Sequence, residues 1–208
     1  MGSGMEKIDF KKIMKAFWQP PAGVFSLVDV PKLQFAMIDG KGDPNTSEEY
    51  RHAIEWLYSV SYPLKFMSKK ELGKDYGVAP LEGLWWAEDM SSFLTGDKDL
   101  WSWTMMIMQP DWIPAEMFEA ALEKARAKLG QPPESLRLQS FHEGLAVQIM
   151  HIGPYSAEGP TILRLHEEFL PANGLVESGK HHEIYLGDPR KAAPEKLKTV
   201  IRQPVKKR

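Results

Sequence analysis

One order of elements occurs twice along this chain of 208 residues: strand, glycine loop, helix, strand with a glutamate, strand. In the first half Leu33–Ile38 alternates as a strand, and Asp39-Gly40-Lys41-Gly42-Asp43-Pro44 is a turn-rich loop. Thr46 or Ser47 then caps a helix whose apolar face is Tyr50, Ala53, Ile54, Leu57, Tyr58 and Ser61, closed or kinked at Pro63. Lys69 to Tyr76 reads as a charged connector. Pro80–Trp86 and Leu100–Gln109 follow as strands joined by a polar connection over residues 88–99. A helix from Pro114 to Leu129, ended by Gly130, leads into the second half. There Leu136–Phe141 and Leu145–His151 read as two strands around His142-Glu143-Gly144. A helix from Ala157 or Gly159 to Leu170 comes next, then strands at His181–Leu186 and Leu197–Arg202, and a solvated basic tail from Val205. Phe35-Ala36-Met37-Ile38-Asp39-Gly40 echoes Val147 to Gly153, and Glu82-Gly83-Leu84-Trp85 echoes Glu183-Ile184-Tyr185-Leu186. Two such units can join their sheets, keep helices on one face and leave a concave site on the other, within reach of both glutamates.

The fold class expected is therefore α+β: a duplicated strand–helix–strand–strand module with a joined antiparallel sheet. Residues 5–208 form one domain with halves at about 25–110 and 134–203, and residues 1–4 read as an expression scar before Met5. Before the first repeat, Asp9 to Phe17 reads as a short helix ahead of Pro20-Pro21. Thirty residues there leave no room for a DNA-reading domain. The charge of −2 and pI of 6.3 give no footprint for nucleic acid. There is no cysteine, which excludes disulfides, thiolate metal sites and cysteine nucleophiles. No apolar run approaches the roughly 18 residues of a membrane span, and no secretory h-region follows the start. The expectation is a cytoplasmic protein, monomer or dimer, without membrane or direct nucleic-acid partner.

The unusual feature is aromatic. Seven tryptophans include the pairs Trp85-Trp86 and Trp101/Trp103. They read either as a tryptophan-rich core or as walls for flat apolar compounds. On regular strands Trp85 and Trp86 point to opposite faces, one to core and one to pocket. Trp101 and Trp103 share a face with Met105 and Ile107, and core and pocket wall both remain open for it. Met37 joins Glu82, Trp85, Trp86, Trp101 and Trp103 as candidate ligand-binding residues.

Along His181-His182-Glu183-Ile184-Tyr185-Leu186, Ile184 and Leu186 share one face and His181, Glu183 and Tyr185 the other. A carboxylate beside a phenol suits acid–base chemistry or a cationic ligand, and it also suits a solvent face. Glu82 alternates with Leu84 and Trp86, so a buried glutamate there needs a partner or a role. His181 and Glu183 can reach one ion together, but no third ligand has sensible spacing, and neither metal nor cofactor is expected. The glycine loop lacks Walker spacing and no Gly-x-Ser-x-Gly elbow occurs.

Three runs carry a resemblance: His-Ile-Gly-Pro-Tyr at 151–155, Glu-Ile-Tyr-Leu-x-Asp-Pro at 183–189 and Pro-Leu-Glu-Gly-Leu-Trp-Trp at 80–86. With the Met-Ile-Asp-Gly-Lys-Gly-Asp-Pro loop, they resemble the GyrI-like small-molecule-binding superfamily over residues 25–203, and within it a stand-alone subgroup. That subgroup is implicated in hydrolysing cyclopropane-bearing, DNA-alkylating natural products of the yatakemycin and CC-1065 type. The resemblance implies the duplicated module and an aromatic pocket for small hydrophobic, planar ligands. It places the pocket glutamate on Glu183 and the tyrosines on Tyr155 and Tyr185. In an aromatic pocket the pKa of Glu183 is expected to rise, suiting a general base that activates water, with Tyr155 or Tyr185 assisting. A carboxylate left ionised instead suits a lipophilic cation, in a module that binds or sequesters drugs without chemistry.

Overall fold

A computed structural model describes residues 6–88 and 96–208. The four leading residues and most of the connection expected over 88–99 lie outside them. The described chain is α+β, and the strand pairings given below are all antiparallel. It divides into two compact units: Met1–Ile13, Leu33–Ala79 and Trp85–Phe141 in one, Met14–Lys32, Pro80–Leu84 and His142–Arg208 in the other.

In the first unit, strand β1 (Ser26–Lys41) pairs through its C-terminal half with β3 (Ser102–Gln109), from Gln34 opposite Gln109 to Lys41 opposite Ser102. Gly40 faces Trp103, and a Cβ at residue 40 would overlap the indole ring. This close approach is the reason the end of β1, expected to be a loop from Asp39, needs glycine there. Trp103, Met105, Met106 and Ile107 are fully buried, so β3 is covered on both faces.

Helix α3 (Glu48–Met67) begins as its sequence predicts. Ser47 Oγ accepts the Tyr50 amide at 3.2 Å, and Glu48 and Glu49 face the positive end of the helix dipole. Pro63 does not end it. An interior proline costs about 3 kcal/mol, and the buried Val60, Leu64 and Met67 on either side hold the helix through it. The expected charged connector instead starts as a π turn, Ser68–Leu72, closed by Gly73 in the left-handed region. Helix α4 (Ala115–Leu129) buries Phe118, Ala121, Leu122 and Ala125, the face its periodicity predicts. Trp112, just before it, stacks on Phe10 and donates to Ser68 Oγ at 3.0 Å.

The second unit is organised on β7 (Lys198–Lys207), which pairs with β4 (Arg137–Ile152), β5 (Leu175–Glu177) and β6 (His181–Tyr185). The expected end of the last strand at Arg202 is too early. Val205 lies within β7 and is 3% exposed, packed with Val147, Leu165, Leu170 and Leu175. It is core and not part of a solvated tail. Leu165 and Leu170 belong to the helical run of α5 (Gly159–Arg164), a π turn (Leu165–Phe169) and α6 (Leu170–Ala172).

β4 is a second departure. The expected pair of strands is one strand of 16 residues that passes through His142-Glu143-Gly144 without turning back. Gly144 has φ +73, a conformation in which a side chain is strained. It acts as a bulge, shifting alternation by one residue between Glu143 and Gln148. Both side chains therefore reach Arg202, although five positions apart they would face opposite ways on a regular strand. The N-terminal helix is also broken, into α1 (Phe10–Ile13) and α2 (Lys15–Trp18).

Candidate functional site

β6 presents two polar faces, and the cross-strand register assigns each. Glu183 lies opposite Ile201 and Tyr185 opposite Thr199, on the face that also carries Val147 and Val205. Leu165 and Leu170 pack on that face, so Glu183 lies on the helix side of the sheet and not on a helix-free one. His182 lies opposite Arg202, which lies opposite Gln148, on the other face.

On the first face Glu183 is tightly held. His181 Nε2 is 2.9 Å from Oε1, and the Tyr185 hydroxyl donates to Oε2 at 2.7 Å. Its side chain is only 14% exposed. Burial pushes the carboxyl up. The hydrogen bonds and charge from His181, with those from Tyr185 and Glu158, outweigh burial and hold it below the ordinary glutamate value. The expected rise is therefore corrected: Glu183 is ionised at neutral pH because donors replace the water that burial removes.

The raised carboxyl is Glu158, the residue before α5. Burial, then the charge and hydrogen bond of Glu183, push it from 4.5 to about 9. Thr199 offsets this only slightly, since neither Thr199 Oγ1 nor Glu158 Oε1 closes a well-formed hydrogen bond. At neutral pH Glu158 is thus protonated beside an ionised Glu183. Tyr155 completes the cluster, edge-on to Tyr185 with ring centroids 5.6 Å apart and 39% exposed to solvent. Burial and then the charges of Glu158, Glu183 and Asp188 push its phenol to about 12, so it stays a hydrogen-bond donor. His151 Nε2 lies 3.1 Å from Pro154 O and, as a carbonyl only accepts, must carry the proton that pins the turn below Tyr155.

On the opposite face lies a buried ionic chain. His182 Nδ1 is 2.9 Å from Glu143 Oε1, and its Nε2 is 3.1 Å from Glu82 Oε1. Two carboxylate partners require both ring nitrogens to carry protons. Burial pulls His182 down, but Glu143 and Glu82 overcome it and raise the imidazole to about 9. Glu143 also accepts from Arg202 Nη1 at 3.2 Å, and Arg202 Nε donates to Gln148 Oε1 at 3.2 Å. Arg202 Nη2 then bonds Phe17 O, and Gln148 Nε2 bonds Ala16 O at 2.7 Å, tying α2 to the sheet. Glu82, Glu143, His182 and Arg202 sum to zero charge, which is how four ionised groups tolerate burial.

The structure brings Glu183, Tyr155 and Tyr185 together. It does not bring Glu82 to them, since Glu82 engages His182 across the other face of β6. Trp85, Trp86, Trp101, Trp103 and Met37 belong to the other unit. There Trp85 meets Trp101 and Tyr50 at centroid distances of 6.0 Å, and Tyr50 stands edge-on to Trp103 at 5.3 Å. Trp103, Trp85 and Met37 are buried, whereas Trp86 and Trp101 are half-buried. Among the described residues no group of three His, Asp or Glu side chains is arranged to hold a metal ion, and no helix is long and apolar enough to cross a membrane.

Sequence reasoning set aside His182 and passed over Glu143, Glu158, Thr199 and Arg202. One signal was available for His182: it alternates with Ile184 on the apolar side of the strand, where an imidazole must have a buried acid. Glu158 carried none, because its burial comes from the path of the chain after Gly153-Pro154.

Residues 24–206 match the family described as the GyrI-like small molecule binding domain. An uncharacterized conserved protein from Listeria innocua is 45% identical, with a TM-score of 0.87 over 96% of this chain and 100% of its own. A hydrolase from the same organism is 42% identical, with a TM-score of 0.82 over 96% and 100%. The C-terminal domain of EcmrR, at 14% identity and a TM-score of 0.56 over 89% and 98%, shares the fold alone. No curated protein sequence matches the chain.

Proposed function

The chain belongs to the GyrI-like small-molecule-binding family, and from that premise we propose that it is a hydrolase of hydrophobic small molecules in which Glu183 takes a proton from water. The observation that carries this reading is the Glu183 carboxylate itself, ionised and fixed by His181 and the Tyr185 hydroxyl at 2.9 and 2.7 Å. Its likeness in sequence to a hydrolase over nearly the whole chain supports the reaction type.

The substrate class proposed is the cyclopropanoid genotoxins, whose strained ring is conjugated to a carbonyl. Water oxygen bonds to a ring carbon, and one water O–H breaks with its proton passing to Glu183. The cleaved C–C pair moves onto the carbonyl oxygen, which Tyr155 stabilises as a hydrogen-bond donor and which then takes a proton. The net change is addition of one water. A carboxylate of low pKa is a weak base, which suits an electrophile whose strain is released as the new bond forms. Tyr185 orients Glu183 because its hydroxyl is already committed to that carboxylate.

Incubation with such a compound tests this by mass spectrometry. Gain of one water in the wild type and none with Glu183→Gln is expected. Unchanged turnover in Glu183→Gln refutes the base. A second reading is favoured by the lowered pKa of Glu183: an ionised buried carboxylate near two tyrosines holds a lipophilic cation without chemistry. It predicts a stable, unmodified complex and a greater loss of cations than of neutral ligands in Glu183→Gln.

A further inference from the structure

Helix α3 is apolar on two sides. Trp56, Leu57, Val60 and Leu64 are buried on one of them. On the side turned to solvent Tyr62 and Phe66 are 49% and 60% exposed, and Tyr58, one turn earlier, is half-buried. Positions 58, 62 and 66 are spaced by four, so the three rings form one stripe along the helix. The centroids of Tyr58 and Tyr62 lie 6.2 Å apart. Lys65 Nζ, anchored on Asp75 at 2.6 Å, sits 5.0 Å from the Phe66 centroid. The stripe is thus ordered in the single chain, which lowers the entropy lost when it is covered. Single exposed apolar residues are ordinary, whereas a contiguous aromatic stripe marks an interaction surface.

The charges at the two ends of the stripe say what covers it. Glu55 is exposed seven residues before Tyr62, and Lys69, seven residues after it in the π turn that continues α3, has 51% of its side chain exposed. Seven residues are close to two helical turns, so both charges fall in line with the rings. We infer that α3 is the two-fold contact of a homodimer, in which a second copy of this chain lies antiparallel across the stripe with Tyr62 on the dyad. In this register Tyr58 meets the partner's Phe66 and Glu55 meets the partner's Lys69, each pair occurring twice. A parallel pairing sets Glu55 against its own copy and Lys69 against its own copy. Sliding the antiparallel pair by one turn sets Arg51 against Lys69 in one direction, and in the other leaves Glu55 opposite Gly73. Only the register centred on Tyr62 both joins the rings and opposes unlike charges. Lys69 also lies 3.3 Å from Asp75, but an ammonium has three donors and Asp75 keeps Lys65.

The size of the contact sets the strength expected. The helix has 20 residues, a length of about 30 Å, and two such helices crossing at about 20° keep their stripes together over most of it. Two stripes of this kind bury on the order of 1,000 Å², the small end of specific interfaces. The dimer is therefore weak, with a Kd on the order of 10 μM. The central rings supply most of the affinity, and the Glu55–Lys69 pairs supply the orientation. An anionic membrane is a poorer match, because Glu55 would then face lipid charge of its own sign. Nothing in the pairing depends on the chemistry at Glu183.

Sedimentation equilibrium of the full chain from about 1 to about 500 μM, a range that brackets this Kd, is the test. The weight-average mass should rise from that of one chain towards that of two. Tyr62→Glu places two like charges on the dyad and should weaken the dimer about tenfold or more, with an unchanged urea midpoint because residue 62 is exposed. Glu55→Lys and Lys69→Glu each oppose like charges at both pairs, and each alone should weaken the dimer by about tenfold. Mixed in equal amounts the two variants restore both unlike pairs, and dimer should return to near the wild-type level. A wild-type chain that stays monomeric across the range overturns the proposal. So does a dimer indifferent to Tyr62→Glu, or one that the mixture of the two charge variants fails to restore. Binding of a monomeric chain to phosphatidylglycerol vesicles, lost in Tyr62→Glu, assigns the stripe to a membrane and overturns it as well.

Discussion

Replacing His182 by leucine should remove the cation from the buried chain on β6 while nearly conserving volume. Glu82, 2% exposed, would lose the partner it holds at 3.1 Å, and Glu143 would keep only Arg202. Removing one member of a buried ion pair typically costs about 3–5 kcal/mol, because the other charge stays buried without compensation. The titration of the imidazole gives a second route to the same magnitude. A rise from 6.5 to about 9 corresponds to roughly 3 kcal/mol of preferential stabilisation of the folded state. The sign follows from the direction of the shift. A folded-state pKa above the unfolded one gives stability that is complete below 6.5 and is lost as pH rises through about 9. Urea unfolding of wild type and His182→Leu should therefore differ by roughly 3 kcal/mol or more near neutrality, and the gap should narrow as pH rises from 6.5 towards about 9 and level off above it. A loss below about 1 kcal/mol, the range of an exposed pair, or a gap independent of pH would refute the account of this network.

Three further outcomes follow from particular contacts. Gly144→Val should cost about 1–3 kcal/mol through backbone strain alone, since φ is +73 and open space surrounds the position; an unchanged urea midpoint would remove the bulge argument. Gly40→Ala should lower the melting temperature by overpacking against the Trp103 ring, with a cost of about 1–3 kcal/mol or more, and a neutral result would mean that the ring is free to move. Val205→Ala should cost about 1–3 kcal/mol in chemical denaturation, whereas no loss would return the C-terminal residues to solvent.

What the sequence made legible was whatever rests on local periodicity. The Ser47 cap of α3 follows from residue type, and the face of α4, the strand at Leu33–Ile38 and the opposition of Glu183 and Tyr185 to Ile184 follow from spacings of 3.6 and 2. The buried face of α3 is instead turned towards Trp56 and Val60 and leaves the expected Tyr50, Ile54 and Tyr58 half-buried. Element ends that depend on tertiary burial were not legible. Pro63 looks like a stop until Leu64 and Met67 are known to be buried, and Val205 looks like a tail until Leu165 and Leu170 are placed over it. The glycine at 144 reads as a turn by residue type, and only its φ of +73 within a continuous strand, with Glu143 and Gln148 both reaching Arg202, reveals a bulge. The electrostatics of the site was hidden for the same reason. The pKa of Glu183 depends on donors drawn from its own strand and from the start of α5, and burial alone gives the wrong sign. The fold class and the cluster of Tyr155, Glu183 and Tyr185 were thus within reach of sequence reasoning, while the proton on Glu158 needed coordinates.

The most direct test of the central claim is the fate of a cyclopropanoid compound incubated with the wild-type chain and with Glu183→Gln, followed by mass spectrometry. The account predicts a product heavier by one water with the wild type, formed at least about a hundredfold more slowly by the variant, the scale of losing a general base. Recovery of the compound unmodified from a stable wild-type complex, or equal turnover by both proteins, would contradict it.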